Sequence, residues 1–316
     1  MWVIVSNSKN SLTRARGQLS ARRLLLVSMI AACVSLPACA VRDTMSAMPS
    51  PDKGRLLATG GVSQVEGAGG SGLANWATIT GYGSSDSYGA TAFHTRAYLD
   101  DFDMQVTGAA IGAANRIEIS YAHQTFDTGD TGPKLGLRQG YKFEQDVVGA
   151  KVRLAGDLVF DQDTLMPQIS VGAQYKKSRN SDLVAALGAE SSGGVDVYAT
   201  ATKLFLDKNL LLSASLRGTK ANQLGLLGFG GPNNDGYSAQ FEGSAAYMLS
   251  RDLVIGADYR TKPDNLAFAD EGDAKAAYIA WFPSKSLSLT AAAVDLGEVA
   301  LQGRQQGIYG SIQVGF

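Results

Sequence analysis

The chain has 316 residues, 45% of them hydrophobic and 18% charged, with 8 Pro and 37 Gly, a composition that excludes a disordered or collagen-like chain. Its 28 basic and 29 acidic residues give a formal net charge of -1, which argues against nucleic acid as a partner, because phosphate binding needs clustered Lys and Arg. All-β barrels of this length form one domain, and no Pro/Ser-rich linker divides the sequence.

Residues 1–40 differ in character from the rest of the chain. Lys9, Arg14, Arg16, Arg22 and Arg23 precede the apolar run from Leu24 to Ala32, and Pro37-Ala38-Cys39-Ala40 closes the segment. A basic stretch, a short apolar core and an Ala-x-Ala site predict a cleaved secretory signal peptide. The apolar run is too short to cross a bilayer as a helix, which needs about 20 residues. Cleavage after Ala40 removes both cysteines, Cys33 and Cys39, and leaves 23 basic against 29 acidic residues. Leu36-Pro37-Ala38-Cys39 is also a partial lipoprotein box, in which Cys39 would carry lipid. Residues 41–53 read as a linker, and 54–316 as a barrel.

After residue 40 the recurring signal is alternation, the period of a strand with two different faces. Candidate strands lie near 74–82, 87–98, 102–112, 115–126, 142–155, 165–176, 194–206, 209–219, 237–249, 252–261, 273–283, 286–295 and 304–316. Many are about 10 residues long, the length a tilted strand needs to cross a bilayer. Tight turns at 113–115, 207–208, 250–251 and 283–285 alternate with long Gly- and Asp-rich connections near 127–141, 177–193, 220–236 and 262–272, as in membrane barrels. At the end of the chain Ile308, Gly310, Ile312, Val314 and Phe316 share one face. A terminal aromatic on the apolar face is similar to the C-terminal insertion signal of outer-membrane barrels, which makes Phe316 the candidate for that role. The fold class is therefore all-β: a transmembrane antiparallel up-and-down barrel of about 12–14 strands.

An even strand count is expected of such a barrel. Thirteen candidates therefore leave two solutions. Arg55 to Val65 supplies a fourteenth strand, the solution we favour from sequence, or the Gly-rich segment 54–75 threads the lumen as a plug and the count is 12.

Several stretches stand out as a set: Leu57-Ala58-Thr59-Gly60-Gly61-Val62-Ser63, Asn75-Trp76-Ala77, Asp146 to Leu154, Gly172-Ala173-Gln174-Tyr175-Lys176-Lys177, Ala201 to Leu206, Thr219 to Gln223 with Gly228-Phe229-Gly230-Gly231, and Tyr259 to Leu266. Together they resemble the bacterial family called domain of unknown function 3034 over nearly the whole mature chain. The resemblance implies an outer-membrane barrel and brings no reaction, substrate or catalytic residue.

Chemistry is sparse. Gly67-Ala68-Gly69-Gly70-Ser71-Gly72 satisfies GxGxxG, but the strand-like Trp76 to Thr80 comes after it where a nucleotide-binding helix is required. His94, placed in the lumen with Arg96, and His123, placed on the lipid side, point in opposite directions, which excludes a shared metal within the wall. No Gly-x-Ser-x-Gly elbow accompanies them. The acidic clusters at 100–103, 161–163 and 270–273 lack EF-hand spacing and read as solvated loops. Trp76, Trp281, Tyr121, Tyr175 and Tyr247 are assigned to aromatic girdles. No catalytic residue, metal site or cofactor is expected, and the chain reads as non-enzymatic.

The leading expectation is a porin-like passive channel for small polar solutes, its lumen lined by His94, Arg96, Glu118, Lys151, Arg153, Asp196, Arg217, Glu242, Asp258 and Arg260. The alternatives are a closed structural or interaction barrel and an outer-membrane hydrolase. The implied partners are outer-membrane lipid, periplasmic chaperones and the barrel-assembly machinery.

Overall fold

A computed structural model of the chain describes residues 61–62, 64–81 and 88–316. The expected signal peptide and linker, with Cys33 and Cys39, and most of the expected fourteenth strand lie outside the described residues.

Twelve antiparallel strands close on themselves: β1 Tyr88–Leu99, β2 Asp103–Ala113, β3 Ile117–Asp127, β4 Lys142–Ala155, β5 Gln168–Ser178, β6 Gly193–Phe205, β7 Leu210–Thr219, β8 Ser238–Met248, β9 Leu253–Arg260, β10 Ala274–Ser284, β11 Leu287–Val299 and β12 Gln302–Gly315. Each pairs with its sequence neighbours, and β12 returns to β1 with Thr91 opposite Gly315 and Leu99 opposite Gly307. Closure leaves no edge strand, which is how a β-structure satisfies its backbone where water is scarce. Among the described residues no helix is long and apolar enough to cross a membrane.

The alternation read from sequence sets the two faces. Ile111, Ile119, Val148, Val171, Leu216, Ile255, Ile279 and Ile312 stand on the outside, solvent-accessible on the isolated chain. An apolar surface carried round many strands marks a lipid or protein contact rather than a water-facing exterior. Inward-facing positions include Gln145, Lys151, Gln174, Lys176, Asp196, Arg217 and Glu242, all out of solvent.

One end of the barrel carries the long connections 128–141, 179–192, 220–237 and 261–273. The second of these contains helix α1, Ser181–Ala186. The opposite end has tight turns, with one exception at 156–167, and the end with the long connections also carries the short links 100–102 and 300–301.

The thirteenth candidate, 74–82, is not a strand of the wall, and the count is 12 rather than the favoured 14. Its described part belongs to a lumenal segment, 61–81, whose described residues are buried throughout. A barrel of 8 strands is filled by its own side chains and one of 16 to 18 leaves a channel. Twelve strands leave space for a peptide, and residues 61–81 occupy it. Glycine permits the fit: a Cβ on Gly112 of the wall would lie 1.8 Å from the Thr80 carbonyl oxygen, and one on Gly72 would lie 2.1 Å from the Tyr309 hydroxyl.

Candidate functional site

The lumenal segment folds back on itself through backbone bonds such as Val62 to Gly70 and Val65 to Gly72, and its remaining backbone polar groups bond to the wall, as they require once they leave water. The amides of Gly69 and Thr80 donate to Glu118 at 3.0 and 2.7 Å, Leu73 to Asp258 at 3.0 Å, Asn75 to Glu242 at 2.9 Å and Ala77 to Thr202 at 2.8 Å. Its carbonyls are taken in turn: Lys151 Nζ donates to Gly69 and Trp76, Gln124 to Val65, and Gln168 and Ser170 to Ala77. The wall thus holds the backbone of the segment at intervals of one to four residues from Val65 to Thr80.

Glu66 is the hub. Fully buried, it pairs with Lys176 of β5, with Arg217 of β7 at 3.3 Å and with Arg260 of β9 at 2.9 Å. Asp196 of β6 closes the ring against Lys176 at 2.7 Å and Arg217 at 3.1 Å, and Glu242 of β8 holds Arg217 at 2.6 Å. Lys151 of β4 pairs with Glu118 of β3 at 3.1 Å, and the Tyr198 ring lies 5.1 Å from the Arg217 guanidinium. Charges this deeply buried persist only because each is compensated.

Of the ten residues expected to line the lumen, Glu118, Lys151, Asp196, Arg217, Glu242, Asp258 and Arg260 lie inside, and all seven are buried. Their charge pairs with the segment and with itself instead of facing an open channel. Arg153 is drawn to the short-turn rim, where it holds Asp157 at 2.7 Å.

His94 and Arg96 depart from expectation: both face outward. Inside, Phe93, Ala97 and Leu99 are buried, and the Phe93 ring packs over Gly108 of β2. The rule that the apolar face looks outward fails in β1 because the neighbouring lumen is filled and dry. Trp76 likewise sits in the lumen, 5% exposed, and belongs to no girdle; Tyr121, Tyr175 and Tyr247 are exposed on the outer face.

The two histidines therefore share a face. In register His94 lies opposite Thr107, Thr107 opposite His123 and His123 opposite Asp146, a polar row on the outer wall. The two rings have different partners: His94 Nδ1 lies 2.9 Å from the Thr107 hydroxyl, while His123 turns toward Asp146. Among the described residues no group of three His, Cys, Asp or Glu side chains is placed to hold a metal. His123 Nδ1 is 2.9 Å from Asp146 and its Nε2 is 3.4 Å from the Thr125 hydroxyl. Asp146 also accepts from Tyr121 at 2.8 Å and from Arg179 at 2.7 and 3.1 Å. Sequence reading missed this cluster because it assembles only through the β3–β4 register.

The family model described as "Protein of unknown function (DUF3034)" matches residues 59–313. No curated protein matches the chain by sequence. Among solved structures, the KdgM porin is similar at 10% identity over 72% of this chain and 99% of its own, with a TM-score of 0.47. The NanC porin is similar at 10% identity over 71% and 98%, with a TM-score of 0.46. Omp33, an outer membrane protein of Acinetobacter baumannii, is similar at 11% identity over 74% and 100%, with a TM-score of 0.42.

Proposed function

The chain belongs to the DUF3034 family, and for this member we propose an exported outer-membrane barrel that acts as a channel closed by its own N-terminal segment. The signal-peptide pattern of residues 1–40 and the apolar outer wall support export and insertion in the outer membrane. The observation that carries the closed-channel reading is the mode of attachment of residues 61–81. They are held by side chains of the wall and form none of its twelve strands, so they can leave without opening the barrel. A passive channel for small polar solutes then requires displacement of this segment. Once bared, Lys151, Lys176, Arg217 and Arg260 would face Glu118, Asp196, Glu242 and Asp258 across it, and neither sign dominates a ring that could select ions.

Planar-bilayer recording of residues 41–316 tests this. Wild type should be closed with rare openings, and Glu66→Gln, which removes the charge of the hub, should raise the open probability severalfold. Steady conductance of equal size in both proteins would show that the segment is no barrier. Silence in both would favour a closed structural barrel.

A second reading, a hydrolase acting at the outer wall, rests on the Thr125, His123 and Asp146 contacts, which run in the order hydroxyl, base, acid. The carboxylate is already committed to Arg179 and Tyr121, and we favour a polar row marking the membrane boundary. Phospholipid hydrolysis that is present in wild type and lost in His123→Ala would reverse that preference.

A further inference from the structure

We infer that the long-loop end of the barrel holds a binding site for one small, neutral, apolar molecule, about the size of a single aromatic ring or a short alkyl chain. The binding claim stands on the cavity alone; its place on a transport route rests on the closed-channel reading above.

The cavity measures about 110 Å³. Close-packed interiors leave few voids larger than a water molecule, and a dry cavity of about 150 Å³ lined by aliphatic and aromatic side chains takes up benzene or xenon. Here the lining comes from two sources. Strand ends supply Phe126 and Phe143, while the connections converge from above with Leu135, Leu183, Leu224 and Phe268. Connections that face water seldom spend so many large apolar residues.

Polar groups are few and already engaged. Lys262 Nζ donates to the Gln223 side chain at 2.9 Å and to the Leu296 carbonyl at 2.8 Å. The ammonium therefore has protein partners, and the walls call for a neutral guest rather than a carboxylate.

The floor is the second observation. Gln223 and Leu224 adopt positive φ, 45° and 63°, although neither is glycine. Such conformations cost of order 1–3 kcal/mol each and cluster at ligand clamps and switches. They are held by several bonds: the Gln223 amide to Glu271 at 2.8 Å, its side chain to the Glu298 carbonyl at 3.0 Å, and the Leu224 carbonyl to Gln145 at 3.1 Å and Lys176 at 3.2 Å. Lys176 is the same residue that pairs with Glu66. One ammonium thus ties the floor of the cavity to the hub of the lumenal segment.

The test is 19F NMR of fluorobenzene with the folded mature barrel in detergent, compared with Leu183→Trp and Leu135→Trp, which fill the cavity from two different connections. Folding of each protein is checked by heat-modifiable gel mobility. Wild type should show a saturable bound resonance near one equivalent, separate from the micelle signal, weakened at least tenfold in whichever filled variants fold. No saturable resonance in wild type, or equal binding in the filled variants, overturns the site. Bilayer silence of both wild type and Glu66→Gln, combined with fluorobenzene binding, would remove the channel reading and leave the site standing.

Discussion

Glu66 and Lys176 form an ion pair in which both side chains are fully removed from solvent, although 110 positions separate them in the chain. The pair joins the lumenal segment to the wall, and the same carboxylate also receives Arg217 and Arg260. Removing one member of a buried pair costs about 3–5 kcal/mol, because the remaining charges lose their compensation. Glu66→Ala should therefore lower barrel stability by that order in urea titrations followed by tryptophan fluorescence, whereas Lys220→Ala, which breaks an exposed pair with Asp235, should change it by less than about 1 kcal/mol.

Gly112 tests the close approach of segment and wall. A Cβ there meets the Thr80 carbonyl oxygen at 1.8 Å, which backbone cannot concede. Gly112→Val should push the segment away from β2 while the wall still closes. Limited proteolysis should then cut within residues 61–81 in the variant and spare them in wild type. Equal resistance would mean that the segment is held elsewhere.

The outer belt makes a sign prediction. Ile119 lies opposite Ala150, two positions from Tyr121, and is 61% exposed on the isolated chain. If lipid covers it, Ile119→Arg should destabilise the barrel in bilayers, by an amount between the ~0–1 kcal/mol of arginine at an interface and the ~2–4 kcal/mol of arginine at the midplane of a lipid-facing wall. An unchanged unfolding midpoint in lipid would place this face in water.

Much of this architecture was legible in the sequence. Period-2 alternation located twelve of the thirteen candidate strands close to their bounds, since a face against lipid and a face against polar groups must alternate. The miss at 74–82 has a physical cause. Trp76 to Thr80 has strand composition, but its backbone bonds go to side chains such as Thr202, Gln168 and Ser170, which no local pattern reveals. The signal that was present is the glycine spacing around Gly67, Gly69, Gly70 and Gly72. His94 and Arg96 were misplaced because polarity alone assigned their face, and Phe93 obeys packing against Gly108 instead.

The cavity floor predicts a pH dependence. Burial pushes the Glu271 carboxyl up from its ordinary 4.5 to about 7, while Lys262 and the Gln223 amide pull the other way and Asp264 adds to the rise. Burial also lowers the Lys262 ammonium. A carboxyl whose folded value is raised holds its proton in the folded chain and loses it in the unfolded one between about 4.5 and 7. Stability should therefore increase as the pH falls through that window and decline as it rises. Glu271→Gln, which imitates the protonated form, should flatten the profile of thermal unfolding between pH 5 and 8; an unchanged slope would assign the titration to another group.

If residues 61–81 form a removable closure, a disulfide that pins them to the wall must control conductance. Both native cysteines lie in residues 1–40, so a chain of residues 41–316 offers a thiol-free background. The Ala77 amide lies 2.8 Å from the Thr202 hydroxyl, which makes Ala77→Cys with Thr202→Cys the pair to cross-link. Combined with Glu66→Gln and recorded in planar bilayers, the oxidised protein should be silent, and reduction should restore discrete, salt-dependent steps. Conductance that is identical before and after reduction, with the cross-link verified by mass spectrometry, would show that the segment does not close the barrel.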